Sequence, residues 1–346
     1  MKTVKTTPRW ITARTTQNNF VRHLVATLLS SSALLCFCAG AALAASSDIY
    51  LGDSLRQLGL HELEQKKGDP AEAERHGAKG GIGLYAERNR DYLWIDGIKL
   101  YLNETVDLAH GKLTVSRLDY EKILLPLYWK LPAPLPGTKR IIIDPGHGGK
   151  DPGKQNTALN YNEKAATLDT AIRLKLVLDK LGFEVILTRE KDVAIELDQR
   201  APIAIKNKAD LFVSLHYNGG AKGDTNSSGI ETYCLSPAGQ RSTNAARGKS
   251  DTSTEPGNRF DAFNLQLAWS IQRRIIARTG AEDRGVRRAR FAVLRTLNCP
   301  GVLVEGGFIS SKNEGAQIAN AAYRQKIAEA VAGGISDYAQ RLRSKQ

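Results

Sequence analysis

The chain has 346 residues, 42% of them hydrophobic and 25% charged, enough apolar content for a sizeable buried core. That balance excludes global disorder, a collagen-like repeat and a protein of many membrane spans. Lys and Arg number 49 against 36 acidic residues, a formal charge of +13, and five of those positive charges fall in the first 44 residues, which carry no acidic group.

Residues 1–44 read as an export signal. Lys2, Lys5, Arg9, Arg14 and Arg22 precede an apolar run, and Ala42-Leu43-Ala44 supplies the small residues a signal peptidase needs. The alternative is a retained anchor. Against it, the run is broken by Ser30, Ser31 and Ser32 and falls short of the roughly 20 apolar residues a span needs. The expectation is an exported protein, periplasmic or secreted, with no integral span after cleavage and a remaining charge of +8. Cys36 and Cys38 leave with the signal. Cys234 and Cys299 remain, too few for a disulfide framework and lacking C-x-x-C spacing, and read as two buried free thiols.

Residues 45–130 give mixed signals and predict a small α+β module of unassigned role. Leu55, Leu58, Leu60 and Leu63 have helical spacing, with a stop at Gly68-Asp69-Pro70. Residues 92–102 alternate around Asp96-Gly97, a hairpin signature. His61, His76 and His110 have no metal-ligand spacing and are expected at the surface. Residues 131–138, with Pro132, Pro134 and Pro136, read as a stiff linker.

From 139 to 346 strands alternate with helices, which predicts an α/β domain: a mostly parallel sheet with helices on both faces. Strands are expected at 140–143, 183–188, 211–215, 230–235 and 302–304. Helices are expected at 162–181, 197–208, 260–278 and 321–342. Asn162 is the candidate cap of the first helix, whose buried side would carry Ala166, Leu168, Ile172, Leu176 and Leu178.

In this half His147 and His216 are the only histidines, and each follows a predicted strand. The carboxyl ends of parallel strands share one edge, where sites form. Glu163 opens the first helix and Glu305 follows Val302-Leu303-Val304, so two imidazoles and two carboxylates can converge there. Two imidazoles and one carboxylate are a common set for catalytic zinc, and a second carboxylate off the metal can move the proton of a water. Spacing alone leaves open which glutamate takes which part. Gly146, Gly148, Gly149 and Gly153 around His147 permit sharp turns and close approach. Residues 148–154 resemble the start of a phosphate-binding loop, but Gln155 replaces the required Ser/Thr and Pro152 sits inside it, so no nucleotide is expected.

Five motifs then stand in order: Asp144-Pro145-Gly146-His147-Gly148-Gly149-Lys150-Asp151-Pro152-Gly153, Asn162-Glu163-Lys164, Thr188-Arg189, Ser214-Leu215-His216-Tyr217-Asn218, and the run from Val302 through Glu305-Gly306-Gly307-Phe308 to Ser310. Together they closely resemble the amidase_3 family of zinc-dependent N-acetylmuramoyl-L-alanine amidases, the AmiC-like cell-wall hydrolases, over residues 139–342. The resemblance implies one Zn2+ held by His147, Glu163 and His216, with Glu305 as the catalytic carboxylate. It implies hydrolysis of the amide between the lactyl group of muramic acid and the L-alanine of the peptidoglycan stem peptide. Peptidoglycan is the implied partner, and an activator protein is a further candidate. Tyr217 departs from the small residue usual in the family, and Gly306 and Ser311 stand where Thr and Asn are frequent. Residues 235–260 are too short and aperiodic for the helical plug some relatives carry.

Asn218 and Arg287 are the candidate substrate contacts, the latter from a basic patch with Arg288 and Arg290 suited to stem-peptide carboxylates. Arg189 and Arg200 read as structural ion-pair residues. No run interleaves aromatics with basic residues, so nucleic acid is not an expected partner. The rival readings are a non-catalytic wall-binding or regulatory protein of the same fold, and a zinc peptidase acting within the stem peptide.

Overall fold

The computed structural model describes residues 48–62, 73–77, 83–128, 131, 138–245 and 252–343. The expected signal and residues 132–137 of the Pro-rich stretch lie outside them; of the helix expected over 53–67, residues 58–62 are not helical, because Gly59 ends it and His61–Glu62 pair as a strand, and 63–67 lie outside the described residues. Among the described residues no helix is long and apolar enough to cross a membrane.

The chain begins with β1 (Asp48–Tyr50) and α1 (Leu51–Gln57), which stops before Gly59, at φ +78°. Next come β2 (His61–Glu62), β3 (Ala73–Gly77), β4 (Leu84–Glu87), β5 (Tyr92–Ile95), β6 (Ile98–Tyr101), β7 (Asp107–Ala109) and β8 (Lys112–Ser116). Asp96 and Gly97 both take positive φ between β5 and β6, the two-residue hairpin turn read from the sequence. His61 and His110 are exposed.

The second half comprises β9 (Arg140–Pro145), β10 (Gln155–Asn156), β11 (Tyr161–Asn162), α2 (Glu163–Lys180), β12 (Glu184–Leu187), α3 (Leu197–Lys206), β13 (Leu211–Asn218) and β14 (Ile230–Cys234). After these come α4 (Asp261–Thr279), β15 (Asp283–Arg288), α5 (Ala292–Arg295), β16 (Gly301–Phe308), α6 (Lys312–Ala319) and α7 (Ala321–Arg343). Cys234 and Cys299 are separate buried thiols, each pushed up to about 12 by burial.

The expected mostly parallel sheet is a mixed one. Among the described residues eleven strands run in the order β12-β9-β13-β16-β14-β15-β6-β5-β4-β3-β2. The first four are parallel, β14 is antiparallel to β16, β15 and β6 follow parallel to β14, and the rest alternate in direction. Parallel neighbours need a long crossover, usually a helix. Residues 219–229 between β13 and β14 contain no helix, so β14 returns in the opposite direction. The α+β segment adds β2–β6 to this same sheet through β6, while β1, β8 and β7 form a separate antiparallel sheet, and Asp48–Gln346 fall in one compact unit.

Alternate strand residues enter opposite layers. Ile141, Ile143, Val213, Leu215, Val302 and Val304 pack with α2, α4 and α7, whereas Ile142, Phe212, Tyr233 and Leu303 pack with α3 and α5. The buried face of α2 is displaced from the expected one. Thr167, Thr170, Ala171 and Leu174 are buried with Ala166 and Leu178, while Ile172 and Leu176 are exposed. The threonines replace aliphatic residues there because the neighbouring elements offer partners: Thr167 Oγ1 donates to Gly146 O (2.9 Å), and Thr170 Oγ1 lies 2.7 Å from the Tyr217 hydroxyl.

Asp144, fully buried at the end of β9, fastens this edge. Its carboxylate accepts from Thr188 Oγ1 (2.6 Å), Ser214 Oγ (2.8 Å) and Arg200 Nη1 (2.7 Å). Breaking a buried pair from one side leaves an uncompensated charge. Arg200→Ala is therefore expected to cost about 3–5 kcal/mol in chemical denaturation, and a loss under about 1 kcal/mol would contradict this role.

Candidate metal centre

Beyond β9 the backbone coils tightly, with positive φ at His147 (60°), Gly148 (127°), Gly149 (60°) and Gly153 (68°). A non-glycine residue in that region is strained. Two arginines hold the turn at His147. Arg189 donates to the carbonyls of Pro145 (3.0 Å) and Gly146 (2.8 Å), and Arg200 donates to the His147 carbonyl (3.1 Å). Arg200 thus makes the expected ion pair, with Asp144, while Arg189 binds mainly carbonyls.

Glycine is required at two places for reasons of space. A Cβ at Gly146 would lie 2.3 Å from the His216 ring, and one at Gly153 would lie 2.6 Å from Glu163 Oε2 and 2.7 Å from His147 Cδ2.

Glu163 is the first residue of α2. Asn162 occupies the cap position but makes no capping bond; instead the N–H groups of Glu163 and Lys164 donate to the carbonyls of Lys154 (2.8 Å) and Pro152 (3.1 Å). The carboxylate accepts from the backbone N–H of Lys154 (2.8 Å) and of Tyr217 (3.1 Å). It also lies 3.0 Å from His147 Nε2 and 2.9 Å from His216 Nδ1. Burial opposes its charge, but the two imidazoles outweigh burial and hold it well below the usual carboxylate range.

His147 Nδ1 is 2.7 Å from Asp151 Oδ2. Desolvation lowers the pKa of this imidazole, yet Glu163 and Asp151 raise it further, and the net direction is upward. One donor atom from each of His147, Glu163 and His216 lies within 4.8 Å of the others. Two imidazoles and a carboxylate at that spacing, with the far nitrogen of one ring already fixed by a second carboxylate, suit a divalent ion such as zinc.

His216 and Glu305 sit within β13 and β16 rather than beyond their ends, directly opposite one another. Glu231 of β14 faces Glu305 from the other side, so the three form a row across adjacent strands. The two glutamates are treated differently. Glu231 accepts from Asn218 Nδ2 (2.9 Å) and the Tyr233 hydroxyl (2.9 Å) and pairs with Arg284 (3.3 Å) and Arg287 (2.9 Å). Glu305 Oε2 is buried with no hydrogen-bond partner. Burial, and then the charges of Glu163 and Glu231, push the pKa of Glu305 well above the carboxylate norm.

These residues line a cleft of 450 Å³ that also contains Asn218 and an apolar wall including Phe291 and Leu303. Four of the sequence candidates therefore meet, with Asn218 beside them. Arg287 does not line the cleft: besides its pair with Glu231 it donates to the Tyr101 hydroxyl (2.8 Å) and lies over that ring. The basic patch is dispersed, because Arg288 is buried and Arg290 donates to the carbonyls of Ser253 and Pro237. Sequence reasoning missed Glu231 and the bond from Asp151 to His147. An acidic residue inside the apolar strand after Gly229-Ile230 was the available signal for Glu231.

Residues 141–337 match the family described as N-acetylmuramoyl-L-alanine amidase. The chain belongs to this family. Among amidase relatives, LytC of Bacillus subtilis is 33% identical over 198 residues, covering 57% of this chain and 35% of that protein. AmiA of Escherichia coli is 33% identical over 229 residues, covering 58% of this chain and 76% of that protein. A solved N-acetylmuramoyl-L-alanine amidase from Clostridium difficile 630 is 31% identical with a TM-score of 0.49, covering 59% of this chain and 97% of that one. The chain thus spans only about a third of LytC.

Tyr217 and Gly306 are matched in size across neighbouring strands. The Tyr217 ring is buried against Gly306, where a Cβ would lie 2.8 Å from Tyr217 Cε1. The large residue on β13 fills the space left by the glycine on β16. Gly306→Thr is expected to cost about 1–3 kcal/mol by overpacking. In a Tyr217→Ala background that cost should shrink or change sign; strictly additive losses in a double-mutant cycle would refute the coupling.

The raised pKa of His147 has a defined sign. Its contribution to the metal-free fold is full below the ordinary imidazole value, about 6.5, and is lost as pH rises through the folded value. An ion competes with that proton, so zinc should raise Tm more at pH 8 than at pH 6. A larger gain at pH 6 would contradict the assignment.

Proposed function

We propose that this family member is an exported zinc-dependent amidase, periplasmic or secreted, acting on peptidoglycan. The reaction is hydrolysis of the amide between the lactyl group of N-acetylmuramic acid and L-alanine. The observation that carries the reading is the convergence of His147, Glu163 and His216 beside a glutamate whose buried oxygen has no partner.

His147, Glu163 and His216 would hold one zinc ion. When bound, the ion supplies Lewis-acid chemistry, activating a water and polarising the scissile carbonyl. The chain's residues do the rest. Asp151 fixes the His147 ring through Nδ1, leaving Nε2 to face Glu163. Glu305 has a free oxygen and an elevated proton affinity, properties suited to taking a proton from the attacking water and returning it to the departing L-alanine nitrogen. A nearby cation would lower that affinity. Asn218 lines the cleft with its amide nitrogen bonded to Glu231, leaving its carbonyl oxygen as the group to meet substrate.

Glu305→Gln is expected to keep its zinc and lose roughly 100- to 10,000-fold in turnover on purified sacculi. Wild-type turnover by that variant would remove Glu305 from the mechanism. His216→Ala should instead lose zinc, read by elemental analysis, and a chelator should silence the wild type. Mass spectrometry of the fragments separates this amidase from a peptidase: free lactyl carboxylate and a new L-alanine amino terminus are expected, whereas cuts within the peptide would overturn the assignment.

A further inference from the structure

A second cavity, of 610 Å³, adjoins the metal cleft, and Lys154 and Gly219 line both. Its walls come from residues 155–159, from the loop 219–225 after β13, and from Ser310 and Lys312 after β16. Lys154, Lys222 and Lys312 border it, all exposed, and none is paired with a carboxylate among the described residues. The one acidic lining residue, Asp224, is turned to its own loop: it accepts from the backbone N–H of Asn226 (2.8 Å) and Ser227 (3.0 Å) and from the Ser227 hydroxyl. The cavity therefore presents a net positive charge, three lysines against one carboxylate.

The loop geometry fits this reading. A Cβ at Gly219 would lie 2.7 Å from Lys154 Cγ and Cδ, so the bare glycine lets the lysine stem cross the boundary between the cavities. Ser310 Oγ accepts from Gly220 N (2.9 Å), which ties the loop to the strand bearing Glu305. The metal cleft has a different character on its other wall, which includes Leu197, Phe291, Val293 and Leu303. The scissile amide joins a neutral sugar to a peptide, and the carboxylates of the substrate belong to the peptide.

We propose that the cavity bordered by Lys154, Lys222 and Lys312 is the subsite for the acidic peptide beyond the L-alanine, its carboxylates held by these ammonium groups. This assignment rests on the amidase reading of the adjoining cleft. Lys154 also acts electrostatically on Glu305, so the test leaves it intact.

The full chain, a Lys222→Ala/Lys312→Ala variant and a Lys222→Glu/Lys312→Glu variant are compared on N-acetylmuramoyl-L-alanyl-D-glutamate and on its diamide, which lacks the carboxylates. The wild type should favour the acidic substrate by about tenfold in kcat/KM at low salt, through KM, and the preference should shrink at about 0.5 M salt. The alanine variant should lose the preference and the glutamate variant should invert it, while all three agree within about twofold on the diamide. An unchanged preference in the glutamate variant overturns the subsite. If the wild type is inert on both substrates, it is the amidase reading that falls. The cavity is then judged by calorimetric titration of free L-alanyl-D-glutamate: weaker binding to the glutamate variant upholds an acidic-peptide site, and equal affinity rejects it.

Discussion

A carboxylate taken out of water must be paired, and Glu163 has its partners on every side. Two backbone N–H groups and two imidazoles surround it, and they come from the turn after β9 and from β13. Each partner imposes a condition elsewhere. The His147 turn needs positive φ and arginine donors for its carbonyls, and the His216 ring needs a glycine at 146. The helix must begin where Lys154 and Pro152 can accept its first N–H groups. The donor groups are therefore held in place by the chain itself, as the proposed metal site requires.

The row formed by His216, Glu305 and Glu231 shows how neighbouring strands assign opposite roles to one residue type. Glu231 is saturated by two guanidiniums, an amide and a phenol, so it is held in place. Glu305, one strand nearer the imidazoles, has an oxygen with nothing to bond. Unsatisfied buried oxygens are rare because they cost folding free energy. Such a cost is commonly found where a group must exchange protons with a ligand.

The mixed sheet connects strands β2–β6 to this row. Through β6, Tyr101 reaches Arg287, and Arg287 reaches Glu231 beside Glu305. The amino-terminal strands thus support the row across the sheet, in addition to extending it. Had β14 run parallel to β16, its pairing with that strand would have brought different residues opposite Glu305.

Periodicity and punctuation were enough to read most helices and strands of the second half, because their apolar residues recur at the spacing of the element and glycines such as Gly182 and Gly280 end them. The four central residues were legible for a similar reason: rare residue types stood at predicted strand ends and a helix start. Strand β15, Asp283–Arg288, was not legible, since it is charged at most positions and becomes a strand only by pairing with β14 and β6. The buried threonines of α2 were hidden too, because hydroxyls are polar until a carbonyl or phenol is brought to them. The sequence by itself determined the α/β class, the two histidines and two glutamates that could meet at one sheet edge, and the room for sharp turns near His147, all of which follow from local spacing and side-chain chemistry, while spacing left the parts of the two glutamates open. Only the tertiary structure decided strand direction, the pairing of Glu231 with Arg287 and the partnerless oxygen of Glu305, because those depend on which groups distant segments bring within hydrogen-bonding distance.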